Sequence, residues 1–191
     1  MNKVGGVNKI MNEYFDILNE NGEFTNEIAS REECHTKGLW HKAVVLFIIS
    51  SDNKKILLQQ RSSTKKSWPN LWDITAGGHV LKGELGYQSV IRETKEELGI
   101  DVKKEELEFI GATISVDTAG VGPNKHFNEY YIAHKDINID DITLQKEEVQ
   151  DIKWFSVKDV TQKINNNYET LTGKTGCWDY LVKYFEFINS K

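Results

Sequence analysis

The sequence is poor in the residues that mark several large classes of protein. Of its 191 residues only Cys34 and Cys177 are cysteines, and they form no CxxC pair, which excludes a cysteine-based zinc motif and favours a reduced, cytoplasmic setting over secretion. No apolar run is long enough to span a membrane, and residues 1–16 lack the apolar core of a signal peptide. The net charge is −5, and no basic run stands out beyond Lys65 and Lys66, which argues against a nucleic-acid-binding surface. We therefore expect a cytoplasmic protein that binds neither membranes nor nucleic acids.

The length of the chain fits one domain, residues 1–191, which is large enough to bury a core. It contains no internal repeat and no low-complexity linker. The first core strand is expected after about residue 40, so that about 1–40 form an N-terminal extension that could serve a homodimer contact. Helices are expected over about 157–191.

Runs of β-branched and aromatic residues predict the strands of a sheet. Residues 43–50 and 55–61 read as a hairpin with a turn at Asp52 and Asn53. The other predicted strands are residues 12–18, 107–116, 128–134 and 151–155. A helix over residues 176–189 places apolar side chains at helical spacing, which we interpret as core contact: Trp178, Leu181, Val182, Phe185 and Ile188. With one long helix after the early strands, these elements predict an α/β (α+β) fold, an α/β/α sandwich with a mixed central sheet.

Residues 78–100 hold the most informative pattern in the chain. Seven residues stand there at fixed intervals: Gly78, Glu84, Arg92, Glu93, Glu96, Glu97 and Gly99. If residues 86–98 are helical, the last three glutamates fall within about 100° of one another on one face, while Val90 and Leu98 lie on another face that packs on a core. Gly99 suits a left-handed helix C-cap, and the glycines before the helix make a tight loop that can approach a ligand closely.

Three carboxylates on one helical turn resist being ionised together unless a cation neutralises them. Hard oxygen ligands with no accompanying cysteine favour Mg²⁺, with Mn²⁺ as a substitute, over zinc. Arg92 adds a fixed positive charge that can brace a carboxylate or contact phosphate. The alternative, a solvated acidic helix face, explains any single glutamate better than it explains the whole set.

This loop, helix and loop resembles the signature of the Nudix hydrolases. The resemblance implies that the three helical glutamates hold the divalent metal, that Arg92 orients Glu93, and that Glu84 supports the loop. Thr94 departs from the family pattern, which usually has a large aliphatic residue there, and this affects helix packing rather than the metal site. The implied activity is hydrolysis of a diphosphate linkage in a small molecule, a nucleoside diphosphate derivative or a related organic diphosphate.

The segments around the motif resemble the Nudix branch that contains isopentenyl-diphosphate isomerase, over about residues 12–157. The isomerase needs a cysteine two residues before the histidine of a Gly-His pair, whereas this chain has Gly77 there, ahead of Gly78 and His79. The departure favours hydrolysis over isomerisation. A third alternative is a sensing module without turnover, which the intact acidic set argues against.

The same branch suggests a second metal site. His35, His41, His79 and Glu129 occur in the order of the isomerase's metal ligands, although the spacing between the first two histidines is one residue shorter. The alternative is that these histidines are structural hydrogen-bonding groups.

Substrate contacts are expected from Arg61 and from the loop residues Gly77, Gly78 and His79, with Lys65 and Lys66 as further phosphate contacts or as exposed charges. Hydrolysis needs a base that takes the proton of the attacking water. The candidates are Glu97, Glu129, Glu147 and Glu148. Of the last pair we favour Glu148, because its place just ahead of the strand at 151–155 resembles a late metal-linked glutamate of the family.

Substrate identity is expected to depend on the loop at residues 116–127. Several aromatic side chains could stack on a base or belong to the core: Trp68, Trp72, Phe127 and Tyr130.

Overall fold

The structure is a computed structural model that describes residues 13–117, 123–165, 170–173 and 175–190. Within these residues the chain forms nine strands, four α-helices and two 3-10 turns. In chain order they are β1 (Tyr14–Leu18), β2 (Phe24–Ser30), α1 (Arg31–Lys37), β3 (Trp40–Ile49), β4 (Lys55–Arg61), β5 (Trp72–Asp73), β6 (Ala76–His79), α2 (Gly86–Leu98), a 3-10 turn (Lys104–Glu106), β7 (Leu107–Asp117), β8 (Asn124–His134), a second 3-10 turn (Ile139–Asp141), β9 (Val149–Ser156), α3 (Val157–Asn165) and α4 (Thr175–Asn189).

Strand β3 is the centre of the sheet. Along one edge it pairs in parallel with β8, from Trp40 opposite Lys125 to Ile49 opposite His134. Along its other edge β3 pairs antiparallel with three strands in turn, first β1, then β6 and then β4. Because β7 pairs with β8 and β9 pairs with β4, both antiparallel, the sheet is mixed, as predicted.

The two faces of β3 bury separate apolar clusters because its side chains alternate between them. Val44, Leu46 and Ile48 pack in one cluster with residues of α2. Val45, Phe47 and Ile49 pack in the other cluster with residues of α4. The sheet therefore lies between helices, which confirms the predicted α/β/α sandwich.

Helix α4 covers the second cluster through the spacing predicted for it. Trp178, Leu181 and Phe185 are buried, Ile188 is partly buried against the same cluster, and Val182 is only partly buried. A period of three to four residues thus identified the buried face of this helix.

The region expected as an N-terminal extension contributes structure to the sheet. β1 pairs with β2 and reaches β3 where Leu18 lies opposite Trp40. Phe15, Ile17 and Cys34 of β1 and α1 form a third small buried cluster. Residues 1–12 lie outside the described part of the chain.

One strand boundary was predicted wrongly in a way that matters for function. β8 begins at Asn124 instead of residue 128, so that His126 lies on a strand directly beside His41. The predicted specificity loop at 116–127 is therefore shorter, and its residues 118–122 lie outside those the structure describes. Among the described helices, none is long and apolar enough to cross a membrane.

Candidate active site

Helix α2 has the limits that the motif predicts. It begins at Gly86, where the side chain of Gln88 accepts a 2.8 Å hydrogen bond from the backbone N–H of Leu85. It ends at Leu98, and Gly99 follows in the left-handed conformation at φ 68°, donating its N–H to the carbonyl of Lys95. Glycine adopts this conformation without the steric cost that a side chain would bring.

The buried face of α2 accommodates the unusual Thr94. This residue is fully buried, and its hydroxyl donates a 2.6 Å hydrogen bond to the carbonyl of Val90 one turn earlier. The polar group is satisfied within the helix, so it can lie against the apolar residues Val90 and Leu98 without a desolvation penalty.

Glu93 rests on the backbone of β6. A Cβ atom on Gly78 would lie 2.2 Å from its Oε1, so glycine at this position leaves the space that the carboxylate fills. Burial raises the pKa of Glu93, the adjacent Arg92 guanidinium opposes that effect, and Glu96 adds to it. A partly buried carboxylate with a like charge one turn away is the electrostatic setting in which a cation binds favourably.

Arg92 ties this carboxylate to the loop before the helix. Its Nε and Nη2 donate to the two oxygens of Glu84, both at 3.0 Å, and its Nη1 donates to Glu93 at 2.8 Å. Nη2 also donates to the backbone carbonyl of His79 at 3.1 Å. Burial acts to raise the pKa of Glu84, but the hydrogen bonds from Arg92 and Ser89 outweigh it and lower this pKa below its ordinary value. The planar fork of one arginine thus fixes the helix, the loop and β6 relative to each other.

The other two helical glutamates have different surroundings. Glu96 is 55% exposed and accepts a 3.5 Å hydrogen bond from Arg92, whereas Glu97 is buried and accepts a 3.4 Å hydrogen bond from Nε2 of Gln59. The three carboxylates therefore share one side of α2, where Arg92 contacts Glu93 and Glu96, and Gln59 contacts Glu97. Gln59 was missed in the sequence, although the alternation of β4 places it on the same face as Leu57, which packs with α2.

The predicted base Glu148 lies in a loop that is attached to the end of α2. The backbone N–H groups of Thr143 and Gln145 donate to the carbonyls of Leu98 and Glu97. The carboxylate of Glu148 pairs with Lys65, while Glu147 beside it is exposed. Lys65 therefore neutralises a candidate base, and Lys66 is exposed.

Arg61 is engaged by a buried acid. Its Nη1 lies 2.9 Å from Oδ2 of the fully buried Asp73, and its Nε donates to the carbonyl of Ser67. Thr172 donates a 2.9 Å hydrogen bond to the other oxygen of Asp73. The arrangement gives Arg61 a structural task in addition to any contact with substrate.

The four aromatic residues named as base-stacking candidates differ in their contacts. Tyr130 is buried and stacks on Tyr180 with ring centroids 4.5 Å apart, so it belongs to the core. Trp72 packs edge-on against Phe155, and Phe127 packs against Trp40. Trp68 is partly buried and lies against the backbone of Gly173.

Four of the five histidines of the chain converge on one point. One nitrogen from each of them lies within 4.8 Å of the others: His35, His41, His79 and His126. Burial lowers the pKa of His41 to about 4, against the opposite effect of its hydrogen bond to Leu39. Burial also lowers the pKa values of His35 and His79, so these rings are neutral near pH 7.

The histidine set differs from the one expected in the sequence. Glu129, the expected fourth member, forms an ion pair with Lys42 at 2.9 Å and accepts a 2.7 Å hydrogen bond from Tyr131. Its carboxylate also lies against the backbone of Gly86 at the start of α2. His126 was missed because its segment was interpreted as a loop, although a strand from Asn124 onwards would have aligned it with His41.

Comparison with known proteins identifies the family. A sequence profile of the NUDIX domain matches residues 39–172. An uncharacterised Nudix hydrolase from Listeria innocua is 35% identical over 179 residues, which cover 93% of this chain and 96% of that protein. Nudix hydrolase 3 from Arabidopsis thaliana is 39% identical over 147 residues, which cover 74% of this chain but only 19% of the plant protein. An isopentenyl-diphosphate Delta-isomerase from Aliivibrio fischeri is 30% identical over 165 residues, which cover 85% of this chain and 90% of the isomerase.

The fold has counterparts among solved structures. A crystal structure of a protein from Deinococcus radiodurans aligns with a TM-score of 0.68 at 17% identity, covering 90% of this chain and 98% of that one. This likeness concerns the fold, whereas the sequence matches extend over the motif and most of the chain. The protein belongs to the NUDIX domain family. It is a Nudix hydrolase, as the pattern in residues 78–100 indicated.

Proposed function

We propose that this protein hydrolyses the diphosphate linkage of a nucleoside diphosphate derivative or a related organic diphosphate, with Mg²⁺ as its cofactor. The observation that carries the proposal is the position of Glu93. Its carboxylate fills the space left by the missing side chain of Gly78 and accepts a hydrogen bond from Arg92. A partly buried carboxylate fixed in this way, with two more glutamates on the same side of the helix, forms a site for a cation that binds phosphates.

The donor set fits Mg²⁺, with Mn²⁺ as a substitute. Glu93, Glu96 and Glu97 offer only carboxylate oxygens, which hard divalent cations prefer. When bound, such an ion neutralises charge on the phosphoryl oxygens and lowers the pKa of a bound water. Rotation of the exposed Glu96 side chain towards the other two glutamates would complete the set.

The residues of the chain divide the remaining tasks. Arg92 orients Glu93 and opposes the effect of burial on its pKa, and Glu84 holds Arg92 through both of its oxygens. Two acids are candidates to take the proton of water: Glu97, which is buried in the site, and Glu148, whose loop is bonded to the last turn of α2. Glu148→Gln tests Glu148 as the base, because the glutamine cannot accept the proton but keeps the size of the side chain, whereas Glu97→Gln removes both a candidate base and a carboxylate of the proposed metal set.

Substrate binding is proposed for the glycine strand and its neighbours. Gly77 and Gly78 carry no side chain, so that a ligand can approach the backbone of β6 closely, and His79 follows them. Arg61 would contact a phosphate with the part of its guanidinium that Asp73 and Ser67 leave available.

The packing around Gly77 supports hydrolysis over isomerisation. A Cβ atom at this position would lie 2.5 Å from the carbonyl oxygen of Val44 and 2.6 Å from Cδ1 of Ile74. The backbone of β3 is rigidly paired here, so the strand cannot make room for a thiol-bearing side chain without a shift. The resemblance places the isomerase cysteine at this position, and a cysteine here would require the strand or Ile74 to shift.

The test is an assay of the full chain with Mg²⁺ on a panel of nucleoside diphosphate derivatives, following release of phosphate or nucleotide. We expect turnover of at least one compound, and a loss on the order of 10²- to 10⁴-fold in Glu97→Gln, which removes a carboxylate of the proposed metal set and a candidate base. Glu105→Gln is the matched control, because Glu105 is exposed on the 3-10 turn after α2 and should retain full activity.

Two results would overturn the proposal. Interconversion of the two five-carbon isoprenoid diphosphates without hydrolysis would indicate an isomerase. Tight binding of a panel compound with no product in either assay would indicate a sensor. If Glu148→Gln loses activity but keeps the Mg²⁺ affinity of the unchanged protein, the hydrolase assignment stands and the base is Glu148.

A further inference from the structure

The four clustered histidines come from four different elements of the fold. His35 lies on α1, His41 on β3, His79 on β6 and His126 on β8. Their ring centroids are between 4.7 and 6.5 Å apart. His134, the fifth histidine, is exposed and bonds Tyr184 at the other end of β8. The convergence of every histidine but one on a single point requires an explanation beyond ordinary core packing.

The orientation of His41 provides the second observation. Its Nδ1 lies 2.9 Å from the carbonyl oxygen of Leu39 and must donate to it, so its Nε2 carries the free lone pair. His41 is completely buried, and Nε2 has no hydrogen-bond partner within the described structure. The Nε2 of His35 is also buried, and it too has no hydrogen-bond partner among the described residues. A backbone carbonyl that fixes the ring of a ligating histidine is the usual arrangement at metal sites.

The donor set selects a class of ion. Four imidazole nitrogens and no carboxylate suit Zn²⁺ and similar transition metals, and they suit Mg²⁺ poorly. The carboxylate that the sequence suggested as a further ligand, that of Glu129, is held by Lys42 and Tyr131. Neighbouring nitrogens of a tetrahedral zinc site are about 3.4 Å apart, so the nitrogens observed within 4.8 Å of each other need to move by about an ångström or less.

We propose that His35, His41, His79 and His126 bind one transition-metal ion of the zinc class, at a site separate from the glutamates of α2. With four protein ligands this site is closed, which is typical of structural and not of catalytic zinc. The ion would join α1 to the three strands that carry the other ligands. Phe15 of β1 stacks on the rings of His41 and His79, both at 4.9 Å, and would cover the site.

The proposed site and the acidic site share strand β6. Gly78 faces Glu93, and the next residue, His79, faces the other histidines, because adjacent side chains of a strand point to opposite faces. The carbonyl of His79 also accepts a hydrogen bond from Arg92. An ion bound to His79 would therefore stiffen the strand on which Glu93 rests, although the proposal does not depend on the hydrolase activity.

The test uses the full chain, stripped of metal with a chelator and returned to Zn²⁺, Co²⁺ or Mg²⁺. We expect about one Zn²⁺ per chain by elemental analysis, a rise in melting temperature with Zn²⁺, and the visible absorption of tetrahedral Co²⁺. His126→Gln should weaken Zn²⁺ binding by at least on the order of 100-fold, since it removes a direct ligand. His134→Gln, the matched control, should bind like the unchanged protein.

A second comparison separates the two metal sites and guards against misfolding. Glu97→Gln should retain the Zn²⁺ stoichiometry and the Co²⁺ spectrum, and circular dichroism should show that His126→Gln is folded. His35→Gln changes a ligand on α1 instead of one on the sheet. Like His126→Gln, it should bind Zn²⁺ more weakly, and it should lose the visible absorption of tetrahedral Co²⁺. The proposal is overturned if the unchanged protein binds no Zn²⁺ in excess Mg²⁺, or if the folded His126→Gln variant keeps the same affinity. It is also overturned if Glu97→Gln abolishes the Co²⁺ spectrum, because the ion would then lie among the glutamates.

Discussion

The α-carbon of Gly78 lies against the carboxylate of Glu93 so closely that an added Cβ would approach Oε1 to 2.2 Å and Cδ to 2.4 Å. Glu93 cannot move away without breaking its hydrogen bond to Arg92. We therefore expect Gly78→Ala to displace the carboxylate and lower kcat/KM by about 10- to 100-fold, as misplacement of a supporting group does. Gly176→Ala is the control, because its Cβ would meet its nearest neighbour at an ordinary 3.6 Å. Full activity in Gly78→Ala would show that Glu93 has another position available.

Replacement of Arg92 by lysine should separate charge from geometry. Lysine keeps the positive charge but cannot bond both oxygens of Glu84 and reach Glu93 and the carbonyl of His79 at once. We expect Arg92→Lys to lower activity by about 10- to 100-fold and to weaken Mg²⁺ binding. Steady-state kinetics over a range of Mg²⁺ concentrations measure both effects, and an unchanged Mg²⁺ dependence would refute the positioning role.

The ion pair of Arg61 and Asp73 predicts a loss of stability. Asp73 is fully buried and also accepts a hydrogen bond from Thr172, so Asp73→Asn removes a charge that these donors stabilise. The free energy of unfolding should fall by about 3 kcal/mol, the range found when one partner of a buried pair is removed. Urea denaturation provides the measurement. Asp101→Asn is the control, since its pair with Lys95 is exposed and should contribute less than about 1 kcal/mol.

Burial of Tyr130 predicts how stability depends on alkaline pH. Burial raises the pKa of Tyr130 to about 12, while the hydrogen bond with Thr113 acts in the opposite direction. An unfolded tyrosine ionises near pH 10, so the unfolded state releases its proton first, and stability falls as the pH rises from about 10 to 12. This group alone should account for about 3 kcal/mol across that window.

Tyr130→Phe isolates this contribution from the lysines that titrate in the same range. The variant lacks the titrating group, so the difference in unfolding free energy between it and the unchanged protein should shift in its favour between pH 9 and pH 11.5. Denaturation followed by circular dichroism at the two pH values measures this shift. A difference that stays constant would show that Tyr130 does not resist ionisation.

The parts of the fold with strong periodicity could be predicted closely. Helix α2 was predicted with the observed limits because an apolar stripe, a carboxylate stripe and a capping Gly99 all indicate the same element. The buried face of α4 followed from the same three-to-four-residue spacing. The hairpin of β3 and β4 was predicted from two apolar runs around a turn, and the structure confirms it.

Elements that depend on distant partners could not be predicted in this way. The short strand β6 contains two glycines in four residues, so only its pairing with β3 makes it a strand. The first residues of β8 are polar, and their parallel partner lies more than 80 positions earlier in the chain. His126 was missed for the same reason, because only the pairing of β8 with β3 brings it beside His41.

The shared strand β6 has a consequence for how this protein can evolve. Its register against β3 decides which face receives Gly78 and which receives His79. A slip of one residue towards the start of the strand would turn the imidazole towards the glutamates of α2 and remove it from the remaining histidines, so the acidic site and the proposed histidine site would be disrupted together. An insertion or deletion within β6, between Ala76 and His79, is therefore far less tolerable than one in the loops outside the strand.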